Sequence, residues 1–537
     1  MRPNAGTGSG RAASARAALA ALALAALASG LAASSAPSED EGAMFGGAAA
    51  EPAAAAAPAA AKAGAATALS PAAGSGSAID NSDSGGLNTG NLGHDDFANG
   101  TVKEDPLQVG GTIYQQGFAD FGRNVGPGQA ALSLPLQLDT FLDMRPNERL
   151  RGYVDARMIY DPSRDGSDSS TSGATNTYLT AGSSAPEGGS AAGTTATATN
   201  PSVVLDQAWF KFDVDQVAFL TVGKQHMKWG TGHIWNPTDF LTTQTYNPLQ
   251  PYDLRLGNSM VKVQVPIEKV TGTNLYAVAL LDNPEPASTL QQVGGAFRAE
   301  TLVFGAEVGV DAVTRADRFP DYGADISTQV GPLDFYAETA LLSGDGYYRE
   351  YVYKGFAPGA PLASAYGVNL LPGPIDQSVA GLSWDFGWTE NRQATLGAEY
   401  FYNELGVSSA QLLPVLIYLG QYQGFYEGKQ YAALYLSAEG PDEGKKTNYN
   451  LSNIVNISDG SAVSRLDFTW LLQDYLTFGA WASVHYGTQG GELNFALNTP
   501  PVGPMVRNQA GQQVPTIPAV NVEAVPLELG LSLRLAY

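Results

Sequence analysis

The sequence has 537 residues, no cysteine, and a formal net charge of −23 from 52 acidic and 29 basic side chains. The lack of cysteine excludes disulfides, Cys-ligated metals and a cysteine nucleophile, and the negative charge argues against nucleic acid as a partner. Charged residues make up 15% of the chain, against about 25% in ordinary soluble domains, yet mean hydropathy is near neutral at −0.10. This balance is typical of chains in which only every second residue is apolar.

The first 36 residues have the pattern of a secretory signal peptide. Arg2, Arg11 and Arg16 precede an Ala- and Leu-rich run over 17–28, and small residues follow. Residues 37–104 are rich in Ala, Pro, Gly and Ser and cannot build an apolar core, so we expect a disordered periplasmic linker. The sequence therefore predicts an exported protein whose folded part spans 105–537.

From Leu107 onward, apolar residues recur at every second position. The last segment, Leu527–Tyr537, has leucine at each odd position up to 535, with Glu528 and Arg534 on the other face. A helix would require apolar residues three and four apart, so the period predicts strands with one apolar and one polar face. Strands of about 9–11 residues with this pattern are typical of transmembrane β-barrels.

Connections of two lengths alternate along the chain. The turn Arg145–Glu148 is short, and the segment 161–201 that follows the next strand is long. Outer-membrane barrels have short periplasmic turns and long external loops. With every long loop outside, the sequence predicts an all-β, transmembrane, antiparallel up-and-down barrel of about 18 strands, within a range of 14–18. That count requires a reversal within 294–313, which we expect at Arg298–Thr301.

Aromatic residues on the apolar faces concentrate near predicted strand ends. Tyr160 and Tyr486 lie next to long loops, and Trp388 and Trp470 lie next to short turns. Aromatic belts at the two membrane interfaces would produce this distribution.

The stretch 222–241 contains a further motif. It includes Gly223-Lys224-Gln225, Trp229-Gly230 and Asn236-Pro237-x-Asp239. Together with the last strand, which ends in an aromatic residue, this motif resembles a porin-like group of bacterial outer-membrane barrels. The resemblance implies location in the cell outer membrane, contact with outer-membrane lipid, insertion by the barrel-insertion machinery through 527–537, and a possible homotrimer. It also implies that the third external loop, 229–255, folds into the lumen.

These features predict a channel for passive diffusion of small hydrophilic solutes, narrowed by the loop 229–255. The candidate constriction residues are Lys224, Gln225, His226, Lys228, His233, Asp239 and Arg255. The candidate charged residues of the inner wall are Arg151, Arg157, Lys211, Lys262, Arg465, Glu307, Glu338 and Glu399. Opposite charges across a narrow lumen would sort solutes by charge, and the same residues would equally serve as ion pairs between neighbouring strands.

Two alternatives remain open at this point. The loop would close the barrel if it only packed against the wall. A barrel without an open pore would instead act as an adhesin, a surface scaffold or part of an export assembly. No H-E-x-x-H, G-x-S-x-G or Gly-rich phosphate loop is present, so the sequence predicts no enzyme, no catalytic residue, no metal and no cofactor. The solute is not assigned.

Overall fold

The computed structural model describes residues 106–163, 200–355, 365–499 and 502–537, apart from short gaps in loops and turns. The predicted signal peptide (1–36) and linker (37–104) lie outside the described residues. Among the described helices, none is both long and apolar enough to cross a membrane.

Eighteen antiparallel strands form a single closed barrel, as the alternating sequence pattern predicts. The first strand pairs with the last one along ten positions, from Thr112 opposite Ala536 to Phe121 opposite Leu527. On its other side it pairs with the next wall strand, so the sheet closes on itself. Closure satisfies the backbone hydrogen bonds that a membrane interior cannot satisfy with water.

We number the strands β1 to β25 in chain order. The wall consists of β1 (Leu107–Phe121), β3 (Leu136–Asn147), β4 (Leu150–Tyr160), β5 (Ser202–Val214), β6 (Ala218–Gln225), β7 (Asn258–Pro266), β8 (Asn274–Leu280), β9 (Gly294–Val303), β10 (Ala306–Thr314), β11 (Asp321–Val330), β12 (Leu333–Leu342), β15 (Ile375–Thr389), β16 (Arg392–Asn403), β17 (Gln430–Glu439), β18 (Thr447–Asn456), β19 (Ser461–Gln473), β20 (Leu476–Gly487) and β25 (Leu527–Ala536).

The other elements belong to the connections. The short strand β2 (Ala131–Ser133) pairs with the end of β1. Within the described residues, the long loops contain three two-stranded sheets: β13 (Tyr347–Tyr353) with β14 (Tyr366–Pro372), β21 (Leu497–Thr499) with β24 (Val520–Val522), and β22 (Val502–Arg507) with β23 (Gln513–Ile517). They also contain the α-helix Leu413–Tyr418 and the 3-10 helices Leu290–Gln292 and Ala410–Leu412.

One end of the barrel has the long connections and the other has the short turns. The long connections include 161–201, 226–257, 343–374, 404–429 and 488–526, and the short turns include 215–217, 331–332 and 474–475. Two connections at the long-loop end, 315–320 and 457–460, are short exceptions.

The reversal predicted within 294–313 is present, but its expected position at Arg298–Thr301 is wrong. The chain turns at Phe304 and Gly305, which have φ of 52° and 85°. This left-handed pair makes a tight two-residue hairpin connection. The Arg298 side chain faces the barrel interior, where it pairs with Asp311 on the next strand. The polar residue at this position therefore belongs to the inner face of β9 and not to a turn.

The wall is apolar outside and polar inside. On β25, Leu529, Leu531 and Leu533 point outward and are exposed, whereas Glu528 points inward and is buried. Trp388 and Trp470, each 44% exposed, lie on the outer face near short turns. An outer apolar band with aromatic residues at its edge is the surface that contacts lipid in transmembrane barrels.

Candidate functional site

The connection 226–257, between β6 and β7, reaches across the interior of the barrel. Its segment 229–241 hydrogen-bonds to Glu338 on β12 and Glu399 on β16, whose side chains face inward and are each 3% exposed. Around the 18-strand wall, β12 and β16 are six and eight strands from β6, and nine strands would be diametrically opposite. The segment therefore extends from one side of the barrel to the far side.

Glu399 holds the middle of this segment. Its carboxylate accepts hydrogen bonds from three consecutive backbone N–H groups, those of His233 (2.9 Å), Ile234 (3.1 Å) and Trp235 (2.7 Å). The Tyr336 hydroxyl donates a fourth bond at 2.8 Å. Converging backbone N–H groups form an anion-binding concavity, and they satisfy a buried carboxylate that would otherwise be costly.

Glu338 holds the start of the segment. Its Oε2 accepts from the Thr231 backbone N–H at 2.9 Å and from the Thr238 hydroxyl at 3.0 Å. Gly230, with φ of 88°, packs directly against this carboxylate, and a Cβ there would lie 2.1 Å from Oε2. Glycine at 230 is therefore required both by the backbone conformation and by the close approach.

Apolar side chains anchor the segment on both sides of the barrel. A near cluster joins Trp229, Phe240 and Leu241 to wall residues of β7 to β12, namely Met260, Val278, Leu280, Ala296, Val313 and Ala340. A far cluster joins Ile234 and Trp235 to Leu493 of the last long loop and to wall residues of β12 to β19, namely Tyr336, Val379, Phe401, Tyr431, Ala433, Tyr435, Ile454 and Val463. Since apolar burial is the main stabilising term in packing, these clusters fix the path of the segment.

His233 belongs to the far side of the segment. Its ring stacks on Tyr336 with centroids 4.3 Å apart, and its Nδ1 lies 2.9 Å from the Tyr435 hydroxyl oxygen. Burial, assisted by the charge of Lys228, lowers the pKa of His233 to about 4. The ring is therefore neutral at neutral pH and contributes packing and a hydrogen bond rather than a positive charge.

The ends of the loop are tied to the wall through Asp206 on β5. A β-bulge between β4 and β5 turns Asp206 and Gln207 both inward. Asp206 then accepts from the Gly257 backbone N–H at 3.1 Å, and its Oδ1 lies 2.8 Å from His226 Nε2. It also pairs with Arg157 at 2.8 Å. The sequence pattern does not indicate that Asp206 faces inward, because a bulge breaks the two-residue alternation from which the faces of a strand are predicted.

Three other predicted constriction residues bond within the loop. Lys228 Nζ donates to the Gly232 carbonyl at 3.0 Å, and Arg255 pairs with Asp239 at 3.1 Å. Burial raises the pKa of Asp239, and Arg255 opposes that shift. These contacts indicate that the polar residues of the loop also hold its own conformation.

The placement of Lys224 differs from the prediction. Lys224 and Gln225 are adjacent on β6 and therefore point to opposite faces. Gln225 faces inward and is fully buried, whereas Lys224 lies in register with outward Ala208 and donates to the Leu205 carbonyl at 2.8 Å. Lys224 is thus on the outer face of the wall and does not line the lumen.

Comparison with known proteins gives similar solved structures but no family for this chain. No protein-family model matches the sequence, and neither does any curated protein. Similar solved structures include a triple mutant of the Rhodopseudomonas blastica porin (TM-score 0.36, 10% identity) and a second mutant of it (TM-score 0.37, 9% identity), each covering 80% of this chain and 100% of its own. A third, titled "Asymmetric conductivity of engineered proteins", has a TM-score of 0.36 at 10% identity, and the match covers 80% of this chain and 100% of that one. Similarity of this size assigns neither a solute nor an ion selectivity.

The inward arginines of this barrel are paired with carboxylates on the same or neighbouring strands. Arg151 pairs with Asp143 at 3.0 Å, and Arg157 pairs with Asp139 at 2.9 Å. Arg465 pairs with Asp467 on its own strand at 2.8 Å. Of the two roles considered for these residues, the geometry favours ion pairs that fix neighbouring strands.

The remaining predicted wall residues also face inward. Lys211 lies opposite buried Thr221, and Lys262 lies on the inner face of β7 and forms no ion pair with any described residue. Glu307 is on the inner face of β10, beside the short turn at Phe304 and Gly305. Within the described part of the chain, no three His, Asp or Glu side chains are placed to bind a metal ion.

Proposed function

We propose that this protein is a channel of the cell outer membrane through which small hydrophilic solutes diffuse passively, with a lumen narrowed by the loop 229–255. The supporting observation is the attachment of segment 229–241 to Glu338 and Glu399 across the barrel. Such a channel also requires a closed wall with a polar inner face. Export by the signal peptide 1–36 and insertion through 527–537 belong to the same proposal.

We place the solute path beside the loop rather than through it. The wall residues of the near and far clusters come from strands in the arc β7 to β19. The strands β20, β25, β1, β3, β4 and β5 contribute none of the residues of these two clusters. A path between the loop and this second arc would be lined by Arg151 and Lys211, with the Arg151 partner Asp143 on β3.

Single-channel recording in planar bilayers tests the proposal. The purified, folded protein is expected to give discrete conductance steps. A variant in which residues 231–238 are replaced by a short Gly-Ser linker is expected to give larger steps, because the attachment to Glu338 and Glu399 is removed. Wild-type protein without any step above baseline would contradict the channel.

The second candidate is a barrel that does not conduct and serves as an adhesin, a scaffold or part of an export assembly. The observation in its favour is that the loop packs against both sides of the interior through two buried apolar clusters. The hairpin of β13 and β14 also exposes Tyr347 and Leu370 at the long-loop end, where a surface partner would bind. A silent wild type combined with a conducting 231–238 variant would identify this closed form.

Assembly as a homotrimer is proposed on resemblance alone. Light scattering of the protein in detergent, corrected for bound detergent, measures the number of chains per particle. A mass of one chain across a range of protein concentrations would contradict the trimer.

A further inference from the structure

A cavity of about 680 Å³ lies at the short-turn end of the barrel, where the turn between β3 and β4 meets the end of β5. It is lined by Asn147, Arg149, Leu150, Phe212 and Asp213. This site is separate from the loop that crosses the interior, and the proposed channel function does not use it. Its lining combines two charged groups, an amide and two large apolar side chains.

The polar side of the cavity is built around Arg149. Its Nε and Nη2 donate to the Asp213 carboxylate at 3.0 Å and 2.7 Å, and its Nη1 has no bond to a described residue. The Arg149 side chain is 56% exposed, so the free edge of the guanidinium is open to a ligand. The Asn147 side-chain oxygen accepts the Arg149 backbone N–H at 2.9 Å, which leaves its amide nitrogen as a further donor.

The apolar side belongs to the lipid-facing surface. Leu150 and Phe212 lie directly opposite each other in register, and Leu150 is 39% exposed. Phe210, two residues along the same strand and on the same face, stacks on Phe212 with centroids 6.0 Å apart. The cavity is therefore continuous with the outer apolar band, and an acyl chain can follow that band away from the polar rim.

The balance of charge restricts the kind of head group. One guanidinium, Arg149, faces two carboxylates, since Asp213 contacts it and Asp215 also acts on it through space. A guanidinium favours phosphate, but the net negative surroundings disfavour a head group that carries only negative charge. A head group with a phosphate and a primary ammonium satisfies both signs.

We propose that this cavity binds a phospholipid with a phosphoethanolamine-type head group. The phosphate accepts hydrogen bonds from Arg149 Nη1 and the Asn147 amide, and the ammonium lies beside Asp213. The acyl chains lie along Leu150 and Phe212 in the apolar band.

Binding of short-chain lipids to the folded, delipidated protein in a neutral detergent tests this site. Calorimetry would compare dihexanoyl phosphatidylethanolamine, dihexanoyl phosphatidylglycerol and inorganic phosphate. We expect the ethanolamine lipid to bind more tightly than the glycerol lipid, and we expect inorganic phosphate not to displace it. Arg149→Gln is expected to weaken binding about tenfold, because a charge-assisted phosphate contact is lost.

Lys446→Gln is the matched control, because Lys446 is a cation at another short turn and does not line this cavity. Asp213→Asn is expected to remove the preference for ethanolamine over glycerol while retaining the lipid. Equal binding by wild type and Arg149→Gln, or an equal loss in Lys446→Gln, would overturn the site. Displacement of the lipid by inorganic phosphate would reduce it to an anion site, and an unchanged preference in Asp213→Asn would overturn the head-group assignment.

Discussion

The backbone N–H of Trp235 donates to Glu399 Oε1 at 2.7 Å, which joins a loop starting at β6 to a strand on the far side of the barrel. The bond is one of three from consecutive residues, and the carboxylate is buried. An acceptor of this kind, rather than a pore-lining charge, is the role that the structure indicates for Glu399.

Removal of this acceptor should loosen the loop. Glu399→Ala leaves three backbone N–H groups and the Tyr336 hydroxyl without their partner, and each unsatisfied buried group costs about 1–3 kcal/mol. We expect larger and noisier single-channel steps than in wild type. Glu399→Gln keeps one acceptor oxygen and should be milder. Glu307→Ala is the control, since Glu307 also faces inward but lies beside the short turn; an equal change there would contradict the role of Glu399.

Acid should weaken docking of the loop through His233. Its pKa of about 4 in the folded protein is below the ordinary 6.5, so the undocked state binds a proton more readily than the docked state. Docking is therefore strongest above pH 6.5, weakens as the pH falls from 6.5 to about 4, and changes no further below that, with a total loss on the order of 3 kcal/mol. Conductance noise recorded from pH 7 to pH 4 measures this.

A second buried group acts in the opposite direction and must be separated. Burial raises the pKa of Glu492, in the last long loop, to about 7, so its contribution to stability grows as the pH falls from 7 to 4.5. His233→Gln should abolish the acid-induced noise and leave the Glu492 effect in place. The same noise in His233→Gln would show that another group is responsible.

The two lysines Lys211 and Lys224 should differ in their effect on ion selectivity. Lys211 faces inward on β5, in the arc where we place the solute path, and Lys224 faces outward on β6. Lys211→Glu is expected to shift the permeability ratio toward cations, because charge lining a narrow path selects ions of opposite sign. Reversal potentials across a KCl gradient measure the ratio. A shift in Lys224→Glu without one in Lys211→Glu would place the path elsewhere.

Arg298 should be a major contributor to the stability of the wall. It pairs with Asp325 at 2.6 Å, with Asp311 at 3.2 Å and with Glu300 at 3.2 Å. Arg298→Met leaves these carboxylates without their cation, and breaking a buried pair in this way costs about 3–5 kcal/mol. Arg145→Met is the control, because the Arg145 side chain is 43% exposed and an exposed pair contributes about 0–1 kcal/mol. Heat-dependent gel migration compares the two; similar midpoints would contradict the prediction.

Much of the wall could be predicted from the sequence because lipid and lumen impose a strict two-residue period. Where that period is regular, as in Leu527–Tyr537, strand and face follow from the residues alone. The position of the turn at Phe304 and Gly305 could not be predicted from the sequence, because a large aromatic residue is not typical of a turn. A charged residue such as Arg298 is more typical of a turn, but the Arg298 side chain faces the interior and forms ion pairs there.

The interior could be predicted only in part, because its contacts join residues far apart in the chain. The sequence identified Glu338 and Glu399 as inward, but their bonds to residues 231–238 depend on the curvature of the whole barrel. The sequence analysis places Lys224, Gln225 and His226 together on the constriction, although adjacent residues on a strand point to opposite faces. Asp206 was missed because its face depends on a bulge.

The attachment of the loop has a consequence for biogenesis. The bonds between His233 or Trp235 and Glu399 connect residues 166 and 164 positions apart, so they cannot form until both β6 and β16 have joined the wall. Contacts of such high sequence separation form late in folding. Docking of the loop therefore follows the assembly of the wall from β6 to β16, and protection of segment 229–241 from protease would report that assembly has reached this stage.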